Sequence, residues 1–293
     1  MSLRVTQRSI SANTTANLQH SLSQMQRLQE QLSSGRQLAR PSDSPTGTVS
    51  ALRLRADLRR GEQLVRNASD GLGWLGTADS ALTQSLDVIG RVRELALRGR
   101  NGSMGPDDRA AIATEVDALR EHLLGIANTT YLGRPLFAGT AAATVAYDAA
   151  GVYQGDAGTV DRTVLDGVSV TVNVTGPAAF GPAGADVFTV LADIADHLRN
   201  DPTQLGTDVA ALDQRSLDLK TELAQVGARY HQVEAMRSRT EGARLDAQNA
   251  LAEVESVDLP RTITELKMQE VAYQAALSAT ARVIQPSLLD FLR

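Results

Sequence analysis

Apolar residues recur at three- and four-residue intervals along most of this chain, and both ends carry the pattern. Leu18, Leu22, Met25 and Leu32 step by 4, 3 and 7 near the start. Ile263, Leu266, Tyr273, Leu277 and Ile284 step by 3, 7, 4 and 7 near the finish. Such spacing keeps side chains on one helical face, as in the seam of a coiled coil. Chain ends are usually loose and polar. Apolar seams at both extremes therefore predict helices built to pack against something.

Glycine and proline punctuate the helices. The first pattern runs over 11–33 and stops at Gly35, a residue suited to the left-handed turn that closes a helix. Ser44 before Pro45 predicts an N-cap followed by proline at the first helical position. Leu58, Gly61, Val65, Ala68, Leu72, Leu75, Asp79, Leu82, Leu86 and Ile89 then hold one register, broken in apolar character only by Gly61 and Asp79. A helix over 45–98 spans roughly 80 Å at 1.5 Å per residue. That length suits a shaft better than a globular core. Gly99, Asn101, Gly102 and Gly105 end it, and Pro106, Asp107 and Asp108 start a return helix with acids at the positive end of its dipole. Ile112, Val116, Leu119, Leu123 and Ile126 form its seam.

The period changes over 131–188, where Tyr131, Phe137, Tyr147, Tyr153, Phe180 and Phe188 cluster among glycines. Val168, Val170, Val172 and Val174 alternate with Ser169, Thr171 and Asn173, which is strand patterning. Asp166-Gly167 predicts a hairpin turn between that strand and Thr159–Leu165. This insert is expected to face outward or toward neighbouring subunits. Helical spacing resumes with Leu191, Ile194 and Leu198. It continues through Leu205, Val209, Leu212, Leu219, Leu223, Val226, Tyr230 and Val233, with Ser216 filling one slot. Arg237 and Arg244 weaken that seam, and Asp258–Pro260 marks a break or a helix start.

The predicted fold is mainly α with a small β insert. The N- and C-terminal halves form a long antiparallel coiled-coil or helical-bundle shaft, and a small antiparallel β domain lies between them. Five segments follow: an assembly helix and loop over 1–44, the long helix and its return over 45–130, the β-rich domain over 131–188, the C-terminal shaft helices over 189–257, and a C-terminal assembly helix over 258–293.

Composition narrows the function. Aromatic residues make up 3% against 42% hydrophobic, as in cores built of Leu, Ala, Val and Ile. A net charge of −5 argues against a general nucleic-acid surface, which needs clustered Lys and Arg. The absence of cysteine excludes disulfides, thiolate metal sites and a Cys nucleophile. No stretch approaches the roughly 18 apolar residues of a membrane span, so no membrane insertion is expected. The start also lacks the apolar core of a cleaved secretory signal. Residues 1–29 hold no Asp or Glu, a bias that fits an uncleaved export address or simply a polar helix.

Chemical motifs are scarce. Gly71, Gly73 and Gly76 spell GxGxxG, but no strand precedes them and the helical register passes through. Close helix packing or a local bend is the better reading. His20, His122, His197 and His231 show no metal-ligand spacing to one another or to acids. Neither a catalytic set nor a cofactor site emerges. Arg91, Arg93, Arg98 and Arg100, with Glu94, fit a solvated face near the helix's C-terminal dipole, with a partner patch as the alternative. Leu288, Leu289, Phe291 and Leu292 make an apolar ending that asks to be buried.

Three stretches resemble a known family. Gln29 to Arg55, QEQLSSGRQLARPSDSPTGTVSALRLR, and Asn67 to Leu97, NASDGLGWLGTADSALTQSLDVIGRVRELAL, are similar to the N-terminal signature of the flagellin family. The ending from Leu266 to Arg293, with Tyr273-Gln274-Ala275-Ala276-Leu277 and Pro286-Ser287-Leu288-Leu289-Asp290-Phe291-Leu292, resembles the family's hook–filament junction members more than its filament subunits. The loop Pro41–Pro45 looks like theirs too, while Gly47 is more flagellin-like.

The resemblance implies an exported structural protein of the bacterial flagellum, located outside the cell, with no enzymatic role. It implies a ring of copies placed between hook-associated protein 1 and flagellin, and a helical export chaperone that shields the C-terminal helix beforehand. Leu18, Leu22, Met25, Leu32, Ile263, Leu266, Tyr273, Leu277, Ile284, Leu288, Leu289, Phe291 and Leu292 are the expected assembly interface. The terminal seams are expected to order on assembly. The alternatives are a filament-forming flagellin and, from another class, an extracellular coiled-coil adhesin with the β domain as its binding head.

Overall fold

Helix α1 spans Ser2–Ser34 and closes at Gly35, whose φ of +67° matches the left-handed C-terminal turn. Helix α2 covers Pro45–Gly99. Its first turn is capped by Ser44, whose Oγ accepts from the Gly47 N–H at 3.1 Å. The computed structural model describes residues 2–284, and side chains over 12–281. Contacts group it into two units. One is Arg60–Ala243, and the other joins residues up to Arg59 with those from Arg244 onward.

In the larger unit, α3 (Pro106–Ala127) follows α2, and two short hairpins follow α3. Strands β1 (Thr130–Tyr131) and β2 (Arg134–Pro135) pair antiparallel, as do β3 (Asp161–Leu165) and β4 (Val168–Thr171). The second hairpin turns at Asp166-Gly167, with Gly167 at φ +74°. The short α4 (Gly176–Phe180), α5 (Val187–Asn200) and α6 (Leu205–Glu255) complete the order. Helix α6 buries Leu205, Leu212, Leu219, Val226, Val233 and Thr240 at steps of seven, the heptad periodicity of a coiled-coil seam.

The buried surface of α2 is wider than one seam. Besides Leu72, Leu75, Leu82 and Ile89, it buries Trp74, Ala78, Ala81, Val88, Val92, Leu95 and Ala96. The hairpins cover part of the additional face, around Gly71, Gly73 and Trp74. Arg162 of β3 donates to Asp70 of α2 at 2.7 Å, and Asn67 Nδ2 donates to the Thr163 carbonyl at 3.0 Å. The β3–β4 hairpin therefore lies against α2. Phe137, Tyr147, Tyr153, Phe180 and Phe188 form an aromatic cluster beside it, with centroid spacings of 4.8–5.7 Å.

Two expectations need correction. Asp79, read as a slot in the seam of α2, is exposed. Asn173, read as the outward residue of an alternating strand, is 3% exposed. Its Oδ1 accepts from the Val160 N–H at 2.8 Å and its Nδ2 donates to the Gly158 carbonyl at 2.9 Å, which satisfies it inside. Arg91 and Arg93 are exposed, as a solvated face requires, and they are also paired. They donate to Glu115 of α3 at 2.7 Å and Asp213 of α6 at 2.6 Å, tying three helices together.

In the smaller unit, α7 (Leu259–Ile284) follows α6 after a short break. Asp258 caps it, accepting from the Arg261 N–H at 3.2 Å. Helices α1 and α7 pack together.

Candidate assembly interface

The α1–α7 pair is antiparallel. Ser21 Oγ accepts from Gln269 Nε2 at 2.8 Å, while Gln24, Arg27 and Leu28 face Glu265, Met268 and Gln269 across a common groove. This register sets Leu18 level with Tyr273 and Met25 level with Leu266. All four are half-buried, as is Leu32. Backbone bonds fix the end of the pair. The Val257 N–H donates to the Gly35 carbonyl at 3.1 Å, and the Gln37 N–H donates to the Glu255 carbonyl at 2.7 Å. Arg55 joins the same corner through an ion pair of 2.7 Å with Glu255.

Other expected interface residues do not lie in the intramolecular seam. Leu22, Ile263 and Leu277 remain 42%, 49% and 43% exposed. Leu259, Met268 and Val271, which the seam spacing omitted, are exposed beside them on α7. Leu28, also omitted, is half-buried toward α7. On α7 the apolar positions run more than halfway round the helix, more than one partner helix can cover. The spacing located the helices correctly but could not divide each into an inner and an outer face. Ile284 closes α7, and Leu288, Leu289, Phe291 and Leu292 lie outside the described residues.

The pair's polar surface is laced by helical ion pairs, Arg261 with Glu265 at 2.9 Å and Lys267 with Glu270 at 2.8 Å. An open cleft of about 300 Å³ beside the α1–α2 loop is lined by Leu38, Pro41, Ala51 and Leu52 together with Arg36, Arg40, Arg55 and Glu255. It offers an apolar floor and cations, without a base–nucleophile pair.

No group of three His, Cys, Asp or Glu positioned for a metal occurs among the described residues. His197 has an acid partner that its sequence position concealed. Its Nδ1 lies 2.7 Å from Asp208 Oδ2, joining α5 to α6. That hydrogen bond, chiefly, raises the His197 pKa against the opposing effect of burial. Gly71 and Gly73 of the GxGxxG run serve packing. A β-carbon on Gly71 would meet Val172 at 3.1 Å, and one on Gly73 would meet the Tyr131 ring. No described helix is long and apolar enough to cross a membrane.

Known proteins share this organisation. Residues 5–142 match the family model of the bacterial flagellin N-terminal helical region. Flagellar hook-associated protein 3 of Escherichia coli (strain K12) is 27% identical, over 85% of this chain and 87% of its own length. A flagellin of Halalkalibacterium halodurans is 26% identical over 96% of both chains. Among solved structures, flagellar hook-associated protein 3 of Legionella pneumophila superposes with a TM-score of 0.62 at 14% identity, covering 69% of this chain and 98% of that one. The last comparison bears on fold alone. These likenesses point one way: this is a flagellar structural protein, similar over residues 5–142 to the flagellin N-terminal helical region and over most of its length to flagellar hook-associated protein 3.

Proposed function

We propose that this chain joins hook-associated protein 1 at the hook end to the flagellin filament, as a ring of identical subunits. The observation that carries the reading is the α1–α7 pair. It leaves Leu22, Ile263 and Leu277 42%, 49% and 43% exposed, and Met268 and Val271, also on α7, 67% and 66% exposed. An apolar face of this kind on a terminal helix pair suits burial by neighbouring subunits. The proposed interface comprises Leu18, Leu22, Met25, Leu32, Ile263, Leu266, Tyr273, Leu277 and Ile284, continued by Leu288, Leu289, Phe291 and Leu292.

Each leucine fully buried on assembly contributes roughly 1.5–3 kcal/mol. Several per subunit suffice to couple ordering of the terminal helices to incorporation. The same exposed face of α7 suits a helical export chaperone before assembly, and the site of action is outside the cell. No catalytic step is part of this function.

Deletion of the gene tests the proposal. The expected phenotype is intact hooks, flagellin shed into the medium and loss of motility. Filaments that remain attached would contradict it. A filament-forming flagellin is the second reading, favoured by the full-length likeness to a flagellin. Electron microscopy of the purified chain under filament-forming conditions separates the two, since the junction reading predicts no long filaments.

A further inference from the structure

Leu132 is the one non-glycine residue with positive φ among the described residues, at +48°. It forms the turn between β1 and β2 with Gly133, at φ +77°. Asn, Asp or Gly occupies such a turn comfortably, whereas a leucine is sterically strained there. The strain secures no core contact, because the Leu132 side chain is 80% exposed. A strained backbone that presents an apolar side chain to solvent points to a contact outside the monomer. Two residues on, Arg134 is exposed, lies over the Trp74 ring at 5.9 Å and makes no ion pair among the described residues.

A matching depression occurs elsewhere on the same unit. Gly76, Asp79, Gly227, Tyr230 and His231 line a notch of about 280 Å³ between α2 and α6. A β-carbon on Gly227 would meet nothing within 4 Å, and one on Gly76 only the Tyr230 ring at 3.8 Å. The notch has room for one aliphatic side chain, since an apolar cavity of roughly 150 Å³ admits a benzene. Asp79 at its edge is exposed and, like Arg134, makes no ion pair among the described residues. Glu234, 3.6 Å from His231, adds negative charge to the rim.

Knob and notch face different ways. The β1–β2 hairpin sits over Gly73 and Trp74, and the notch opens at Gly76 and Asp79. At roughly 100° per residue, the midpoints of these two sites are about 140° apart around α2. A contact between them is therefore head-to-tail, the kind that propagates from copy to copy and closes into a ring when the rotation permits.

We infer that Leu132 of one copy seats in the Gly76–Gly227 notch of the next copy, with Arg134 reaching Asp79. This rests on the ring-forming role proposed above. It assigns the subunit-to-subunit contact of the larger unit, separate from the terminal helices.

The cysteine-free sequence makes the contact testable by cross-linking. A Leu132→Cys, Gly227→Cys double variant is expressed in place of the native chain, and sheared flagella are oxidised and run on a non-reducing gel. The expected result is a ladder of covalent oligomers of this chain, lost on reduction and absent from either single variant. A double variant that is present in flagella yet stays monomeric, or becomes attached to a different protein, overturns the inference.

Charge reversal decides the case if the cysteine variant fails to incorporate. Arg134→Asp and Asp79→Arg should each lower the amount in sheared flagella by about tenfold, and the double swap should restore it. Singles at the native level, or a double swap no better than the singles, overturn the inference. Absence of the native chain from flagella would instead sink the flagellar role, and this contact with it.

Discussion

A β-carbon on Gly73 would lie 2.3 Å from the hydroxyl oxygen of Tyr131, so the β1–β2 hairpin approaches α2 at a distance that only glycine permits. The Tyr131 ring cannot swing away freely. It packs edge-on to Trp74 with centroids 5.6 Å apart. Gly73→Ala therefore sets a clash costing about 1–3 kcal/mol against a helix-propensity gain of about 1 kcal/mol. The expected net is a loss of stability of about 1 kcal/mol, followed by the fluorescence of Trp74, the chain's single tryptophan and 2% exposed. Gly125→Ala is the control: a β-carbon there meets nothing within 4 Å, so stability should rise. Equal behaviour of the two variants would contradict the close approach.

Asn173 gives a second test. Removing its amide with Asn173→Ala leaves the buried Val160 N–H and the Gly158 carbonyl without their partners. The expected cost is about 2–3 kcal/mol in denaturant unfolding, that of unpaired buried polar groups. A change below about 0.5 kcal/mol would mean that the strand end rearranges to satisfy them.

His197 and Asp208 predict how stability responds to pH. The folded pKa of His197 lies above its ordinary value near 6.5, first through its hydrogen bond to Asp208. Its stabilising contribution is thus fully present below about pH 6.5. It is lost as pH rises through the folded pKa. Thermal unfolding should show the larger unit weakening by up to about 1 kcal/mol on going from slightly acid to alkaline buffer. His197→Asn should flatten that slope, and an unchanged slope would remove the pair from the account.

These residues show where sequence pattern stops. The helices were legible because their evidence is local: steps of seven along α6, Ser44 and Asp258 as caps, Gly35 as a closing turn, and Asp166-Gly167 as a hairpin. The contacts between elements were not. Tyr131 meets Gly73 across 58 residues of chain, Asn173 is buried because Val160 and Gly158 need its amide, and His197 finds Asp208 across a loop. Period alone made Asn173 an outward residue and Asp79 an inward one, because period counts positions without knowing which neighbours will cover them. The terminal seams show the same limit. Their spacing placed Leu266 and Leu277 together on one face of α7, and it could not tell that Leu266 is half-buried while Leu277 stays 43% exposed.

That difference separates two substitutions. Leu277→Asp should leave the α1–α7 pair and the larger unit folded while blocking incorporation into flagella. Leu266→Asp should also loosen the pair itself, lowering helical content by circular dichroism. If Leu277→Asp incorporates normally, the exposed part of Leu277 is not an assembly surface.

Hydrogen exchange over residues 12–34 and 259–281 tests the central claim most directly, comparing the isolated chain with the chain in flagella. Coupled ordering and assembly predict weak protection of both segments in the isolated chain and strong protection in flagella. Strong protection already present in the isolated chain, unchanged by assembly, would contradict it.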